Sequence, residues 1–285
     1  SIDATLEDGA LTYGECFLPA TAPSSAAGEV LFSAHVCHPS LANDNLSGLA
    51  VCMALAETLQ ARKHRRYGYR FVFAPGTIGA IAWLARNAGT RARVAAGLVA
   101  ANLGDPGAFH YKRSRRGTAE IDRAAAVALR DRGAEHAIED FVPFGYDERQ
   151  YCSPGVDLPV GVLTRTPWGR YPEYHTSADD LSFISADRLA ESLEVYLQVV
   201  DVLEGNRVYV NLCPVGEPQL GRRGLYGSLG GAADGRDREL ALLWVLNQSD
   251  GRHSLLDIAE RSGVAFSRLR QAADALLEAS LLREV

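Results

Sequence analysis

The sequence predicts an α/β fold: a three-layer α/β/α domain reaching to about residue 204, then a linker and a small helical domain. Three observations predict it. Apolar runs of strand length alternate with segments of helical spacing, the pattern of parallel crossover units. Gly, Pro, Asn and Asp punctuate the joints between them. Beyond residue 204 the texture turns Gly- and Arg-rich, and three helical stretches follow.

The elements come in this order. Residues 29–36 (Glu-Val-Leu-Phe-Ser-Ala-His-Val) are mostly apolar and read as a strand buried on both faces. Residues 45–61 set Leu46, Leu49, Ala50, Met53, Ala54 and Leu59 at helical spacing, with Asp44 or Asn45 as cap. A basic turn at 62–66 leads to a strand over 69–74, which Pro75-Gly76 breaks before a helix over 79–88. A third strand, 96–103, ends in Gly104-Asp105-Pro106-Gly107. A helix over 119–132, a strand over 158–164 and a long amphipathic helix over 186–203 complete the domain 1–204. Residues 205–237, with Gly-Gly at 230–231, read as a linker with little regular structure. The domain 238–285 holds helices over 238–248, 254–262 and 265–281, the last two arranged as a helix-turn-helix.

Composition narrows the function. Of 285 residues, 47% are apolar and 22% charged, which places the chain among ordinary globular proteins. A net charge of −6 gives no general affinity for nucleic acid. No stretch approaches the ~18 apolar residues of a membrane span. The cysteines Cys16, Cys37, Cys52, Cys152 and Cys213 are odd in number and form no C-x-x-C pair, which fits a reducing, cytoplasmic setting. The chain opens on Ser1 with no signal segment and reads as a fragment or a processed product.

In open sheets ligands bind where loops leave the carboxyl ends of the strands. His35, Asp105 and the Pro75-Gly76-Thr77 turn all sit there. The segment from Ser33 to Gly48 is the richest: a strand end delivers His35, and nine residues later Asn43-Asp44-Asn45 enters a helix. An imidazole and a carboxylate joined by one tight loop suit a cation such as zinc. The asparagines and Ser47 are placed to orient the carboxylate. The plainer alternative makes Asp44 a helix cap and His35 a core histidine. His38 is either a further ligand or, with Pro39 behind it, aimed elsewhere; Cys37 is a soft ligand or packs. His175, set among Tyr171, Tyr174 and Asp179, is either a ligand held in one tautomer by Asp179 or a core residue.

Lys112-Arg113-Ser114-Arg115-Arg116, one loop beyond Asp105, forms either an anion clamp for substrate, joined by Arg165 and Arg170, or a solvated loop. Glu148 in Tyr146-Asp147-Glu148-Arg149 is the first candidate for a proton shuttle and Asp147 the second. The alternative pairs Glu148 with Arg149.

Taken together, these blocks resemble the M28-type zinc aminopeptidase superfamily, and more closely the DUF4910 family with its C-terminal winged-helix-like domain. The resemblance rests on Ser-Ala-His-Val-Cys-His-Pro-Ser with Ala-Asn-Asp-Asn-Leu-Ser-Gly, on Pro-Gly-Thr-Ile-Gly, on Gly-Asp-Pro-Gly with Tyr-Lys-Arg-Ser-Arg-Arg-Gly, on Gly-Tyr-Asp-Glu-Arg-Gln and on Glu-Tyr-His-Thr-Ser-Ala-Asp. It implies zinc ligands at His35, Asp44 and His175, a further carboxylate at Asp105, and a cis Asp44-Asn45 peptide. It also implies hydrolysis of an amide or peptide-like bond. The chain departs from the pattern where the superfamily carries a Glu-Glu pair, here Gly76-Thr77, and where it carries an aspartate, here Cys37. Those losses predict one zinc per chain. They also open two alternatives, a non-catalytic binding module and a zinc enzyme performing acyl transfer or elimination. Such relatives point to a small anionic biosynthetic substrate. Residues 236–285 carry seven Arg against eight Asp plus Glu, so the last domain suits protein contact or self-association better than DNA.

Overall fold

The computed structural model describes residues 3–21, 27–225 and 233–285. Two compact units divide the chain: residues 1–122 with 135–196, and residues 123–134 with 197–285.

The first unit is organised by a seven-stranded sheet of order β1-β3-β2-β4-β7-β5-β6. Its strands are β1 (Gly14–Leu18), β2 (Glu29–His35), β3 (Gly68–Ala74), β4 (Val94–Ala100), β5 (Phe109–Lys112), β6 (His136–Glu139) and β7 (Val160–Thr164). The four central strands β3, β2, β4 and β7 run parallel, as the crossover pattern predicts. The margins do not: β1 lies antiparallel on β3, and β5 antiparallel on β7, with β6 parallel to β5. The sheet is therefore mixed.

Sequence explains the centre. All seven residues of β2 are buried, and because alternate side chains leave opposite faces, both faces must be covered. On one face Leu31, Val72, Val99, Val160 and Val162 cluster with Trp83 and Leu84 of helix α2 (Ile78–Arg86) and Tyr151 of the short helix α5 (Glu148–Tyr151). On the other face Phe32 stacks on Phe71 at 5.2 Å and meets Tyr196 of α6 (Ala186–Gly205) at 6.1 Å. Each such aromatic contributes roughly 1.5–3 kcal/mol by burial. Helices on both faces make three layers. The remaining helices of this unit are α1 (Gly48–Ala61) and α3 (Ala88–Arg91), while α4 (Glu120–Arg132) begins in it and falls mostly in the second. Because β2, β3, β4 and β7 are parallel, His35, the Pro75-Gly76-Thr77 turn, Asn102 to Asp105, and Arg165 with Thr166 all emerge at one edge.

In the second unit β8 (Val208–Asn211) pairs antiparallel with both β9 (Asp250–Ser254) and β10 (Leu282–Glu284), beside α7 (Ala233–Gln248), α8 (Leu255–Ser262) and α9 (Phe266–Glu278). Ser254 caps α8 in a capping box with Asp257, and Gly263 ends it at φ +70°. Strand β8 falls inside the stretch read as linker. Its Val-Tyr-Val core is a strand former too short to stand out among glycines. Gly230 and Gly231 lie outside the described residues. Among those described, no helix is long and apolar enough to cross a membrane.

Candidate metal centre

The chain leaving β2 turns at Pro39 and enters a single wide turn, residues 42–47, before α1 begins. Asp44 and Asn45 depart from helical geometry there, and the peptide between them is cis, as the resemblance implies. Polar neighbours hold this backbone from three sides. The Asp179 carboxylate accepts from Asn43 N at 2.6 Å and Asp44 N at 2.9 Å. Asn45 Nδ2 donates to Ala100 O at 2.9 Å. Ser47 Oγ donates to Asn43 O at 2.6 Å and accepts from Leu103 N at 2.9 Å. The asparagines, Ser47 and Asp179 thus fix the main chain around Asp44, rather than its carboxylate or the ring of His175.

That leaves the Asp44 carboxylate, fully buried, to face three histidines. His35 Nε2 lies 2.7 Å from Oδ1; His175 Nε2 lies 3.0 Å and His38 Nδ1 3.7 Å from Oδ2. Burial works to raise the Asp44 pKa, but the His35 hydrogen bond and the three nearby imidazoles outweigh it and hold the carboxyl below its ordinary value. The donor atoms of His38, Asp44 and His175 all lie within 4.8 Å of one another. His38 Nδ1 is buried and makes no hydrogen bond, an orphaned acceptor or donor of the kind a metal satisfies. Two imidazoles and one carboxylate are donors of the types zinc takes. His175 takes a left-handed φ of +58°, which for a residue with a side chain costs of order 1 kcal/mol and points to a constraint at this position.

His35 stands outside that group of three. Its buried ring is stacked at 4.5 Å on Tyr146, and its Nε2 is spent on Asp44. Two tyrosines, which sequence reasoning passed over, complete the setting. Tyr146 places its hydroxyl 3.4 Å from Asp44 Oδ2 and bonds the Tyr174 hydroxyl, while Tyr174 stacks on His175 at 3.9 Å. Burial pushes the Tyr146 phenol far above its ordinary pKa, so it keeps its proton. Both tyrosines were visible inside the Gly-Tyr-Asp and Glu-Tyr-His blocks.

Asp105 is buried and spends its oxygens on other partners. It accepts from Thr166 Oγ1 at 2.5 Å, Gly107 N at 2.8 Å and Asn43 Nδ2 at 3.1 Å. The two carboxylates of residues 147 and 148 also part company. Glu148 pairs with Lys112 at 2.7 Å, not with Arg149, and its other oxygen accepts from Tyr146 N at 3.1 Å. Asp147 accepts from Thr77 N at 2.6 Å, at the turn where Gly76 also donates to Cys37 Sγ. Burial raises the Asp147 pKa, with the Thr77 amide and His35 working against it. Burial likewise pushes the Cys37 thiol up.

The basic residues all have partners within the protein. Arg113 pairs with Asp140 at 2.6 Å, while Arg115 and Arg116 share Asp157 at 2.9 and 3.2 Å. Arg165 is buried against Glu191 and Ser192, and Arg170 holds Glu139 at 2.6 Å. Lys112 is buried, so its charge demands the carboxylate it has. Each cation is committed within the protein.

The sequence profile of a domain of unknown function, DUF4910, matches residues 4–206, and that of a winged helix-turn-helix matches residues 207–284. A Clostridium acetobutylicum protein named for polysaccharide biosynthesis and an aminopeptidase-like domain is 48% identical over 284 residues, 100% of this chain and 64% of its own length. A crystal structure named for a peptidase of the same organism superposes with a TM-score of 0.89 at 46% identity, covering 99% of this chain and 62% of that one. The chain therefore spans less than two thirds of the length of these relatives. At 16% identity, the structure of a zinc aminopeptidase from Bacillus subtilis shares the fold with a TM-score of 0.57 over 66% of this chain and 48% of that one.

Proposed function

The chain belongs to the DUF4910 family, and on that footing we propose that it is a zinc-dependent hydrolase of an amide or peptide-like bond in a small biosynthetic substrate. One observation carries the reading: three donor atoms of the types zinc prefers, from His38, Asp44 and His175, lie within 4.8 Å of one another at the carboxyl edge of the sheet. A cation held there would polarise a carbonyl and ease deprotonation of water.

The residues of the chain do the rest. His35 orients Asp44 through Oδ1 and leaves Oδ2 to the group of three. Asp147 takes the proton of the attacking water on Oδ2, the oxygen not tied to Thr77 N. It enters from the residue just ahead of α5 at the very turn, Gly76-Thr77, where the M28-type superfamily carries its Glu-Glu pair, so one carboxylate stands in for another delivered from a different element. Glu148, with both oxygens engaged, is set aside as shuttle. With the basic run paired off, an anionic anchor drops out of the reading as well. The name of the C. acetobutylicum relative favours a biosynthetic substrate over general digestion.

A second reading, a peptidase-like binding module that keeps the cation, draws on the missing Glu-Glu pair. Metal analysis and turnover separate the two. The wild type is expected to hold about one zinc and to hydrolyse members of an aminoacyl- and N-acyl-amide library, and His175→Ala and Asp44→Asn to lose the metal and the turnover together. Zinc with no turnover leaves the binding module standing. Variants that keep a full complement of zinc defeat the assignment of ligands.

A further inference from the structure

The Lys112–Glu148 pair invites a question. Both residues are buried, and taking two charges out of water costs several kcal/mol per ion, so an apolar pair of the same volume would serve stability at least as well. What the pair does hold is one short loop. Lys112 Nζ donates to Phe144 O at 2.6 Å as well as to Glu148 Oε1 at 2.7 Å, and Glu148 Oε2 accepts from Tyr146 N at 3.1 Å. The ammonium also lies over the rings of Phe141 and Trp168 at 5.6 and 5.4 Å. Between the two anchor points sits Gly145 at φ +146°, where a Cβ would collide with Glu148 Oε1, so only glycine lets the loop cross the carboxylate.

The residue this clamp delivers is Tyr146. Its ring is wedged between His35 at 4.5 Å and Trp168 at 5.3 Å. Its hydroxyl stands beside Asp44 Oδ2 and the Tyr174 hydroxyl. Two hydroxyls carry two protons, and the bond between them uses one. With Tyr174 as the donor in that bond, the Tyr146 proton is left for Asp44 Oδ2 at 3.4 Å, at the outer limit of a hydrogen bond, so an incoming oxygen displaces that contact at little cost.

We propose that Lys112 and Glu148 are positioning residues that hold the Tyr146 hydroxyl as a hydrogen-bond donor to the substrate's carbonyl oxygen beside the His38–Asp44–His175 group. The inference rests on the metal-hydrolase reading above. A preorganised donor of this kind contributes by being in place before charge develops on the oxygen.

The test uses the whole chain loaded with Co²⁺, whose visible absorbance reports both metal uptake and the binding of acetohydroxamic acid, a carbonyl-bearing metal ligand. Tyr146→Phe is expected to take up Co²⁺ like the wild type and to bind the hydroxamate about tenfold more weakly, the scale of one lost hydrogen bond to a charged group. The double variant Lys112→Met, Glu148→Leu is expected to fold and to keep its Co²⁺ affinity yet show the same weakening, which a merely structural role would not produce. Hydroxamate affinity equal to wild type in either protein, or no hydroxamate binding by the Co²⁺-loaded wild type, overturns the proposal and leaves the metal site intact. A wild type that takes up no Co²⁺ overturns the metal site and this inference with it.

Discussion

Replacing Asp147 by asparagine should make the protein more stable and less active at once. The side chain is 1% exposed, and one oxygen accepts from Thr77 N at 2.6 Å, a bond that an asparagine carbonyl keeps. The other lies 3.5 Å from Ser33 Oγ, too far to be worth much. What the substitution removes is a buried charge. Burial raises the pKa of this carboxyl, so above that value the folded chain ionises a group that the unfolded chain ionises more readily. The charge therefore costs stability at neutral pH, and the cost fades as pH falls through the folded value. Asparagine imitates the protonated form at every pH. In the metal-free protein the variant should gain on the order of 1 kcal/mol at neutral pH, about 2–4 °C in Tm for a chain of this size, and nothing near pH ~4. Turnover should fall by roughly 10²–10⁴, the worth of a general base. Thermal melts at the two pH values, with turnover on a substrate found in the amide library, measure both. A lower Tm at neutral pH would make the carboxylate a structural anion, and unchanged turnover would remove it from the mechanism.

Two further outcomes separate ligands and anchors from structural groups. Asp105→Asn should destabilise by about 1–3 kcal/mol, because amides and hydroxyls that now meet a carboxylate lose part of their partner, while zinc content stays at the wild-type level; loss of zinc at unchanged Tm would return Asp105 to the ligand set. Arg115→Ala with Arg116→Ala breaks only exposed pairs with Asp157 and should cost less than about 1 kcal/mol with KM unaltered. A tenfold rise in KM would restore the clamp.

The contrast between these residues shows where sequence reasoning reaches and where it stops. The central strands were legible because burial on both faces leaves mostly apolar runs, as in β2 and β3. Strand β1, mostly exposed, and β6, half-buried throughout, carry no such run, and their antiparallel or marginal places follow from neighbours found only after folding. The site divides the same way. That Asp44 and His175 come together could be expected, because each lies in a dense polar motif, and parallel topology brings strand ends to one edge whatever the loops do. His38 stayed open, since whether Pro39 turns it toward or away from Asp44 is a matter of a few ångströms. The charged residues take on a different reading once folded, for a different reason. Arg113, Arg115 and Lys112 find their acids 27, 42 and 36 positions away, and a run of cations looks like an anchor only while those acids are out of sight. A donor's type and its polar motif are written in the sequence, whereas the use of a charge is decided by a counter-charge that only folding brings beside it.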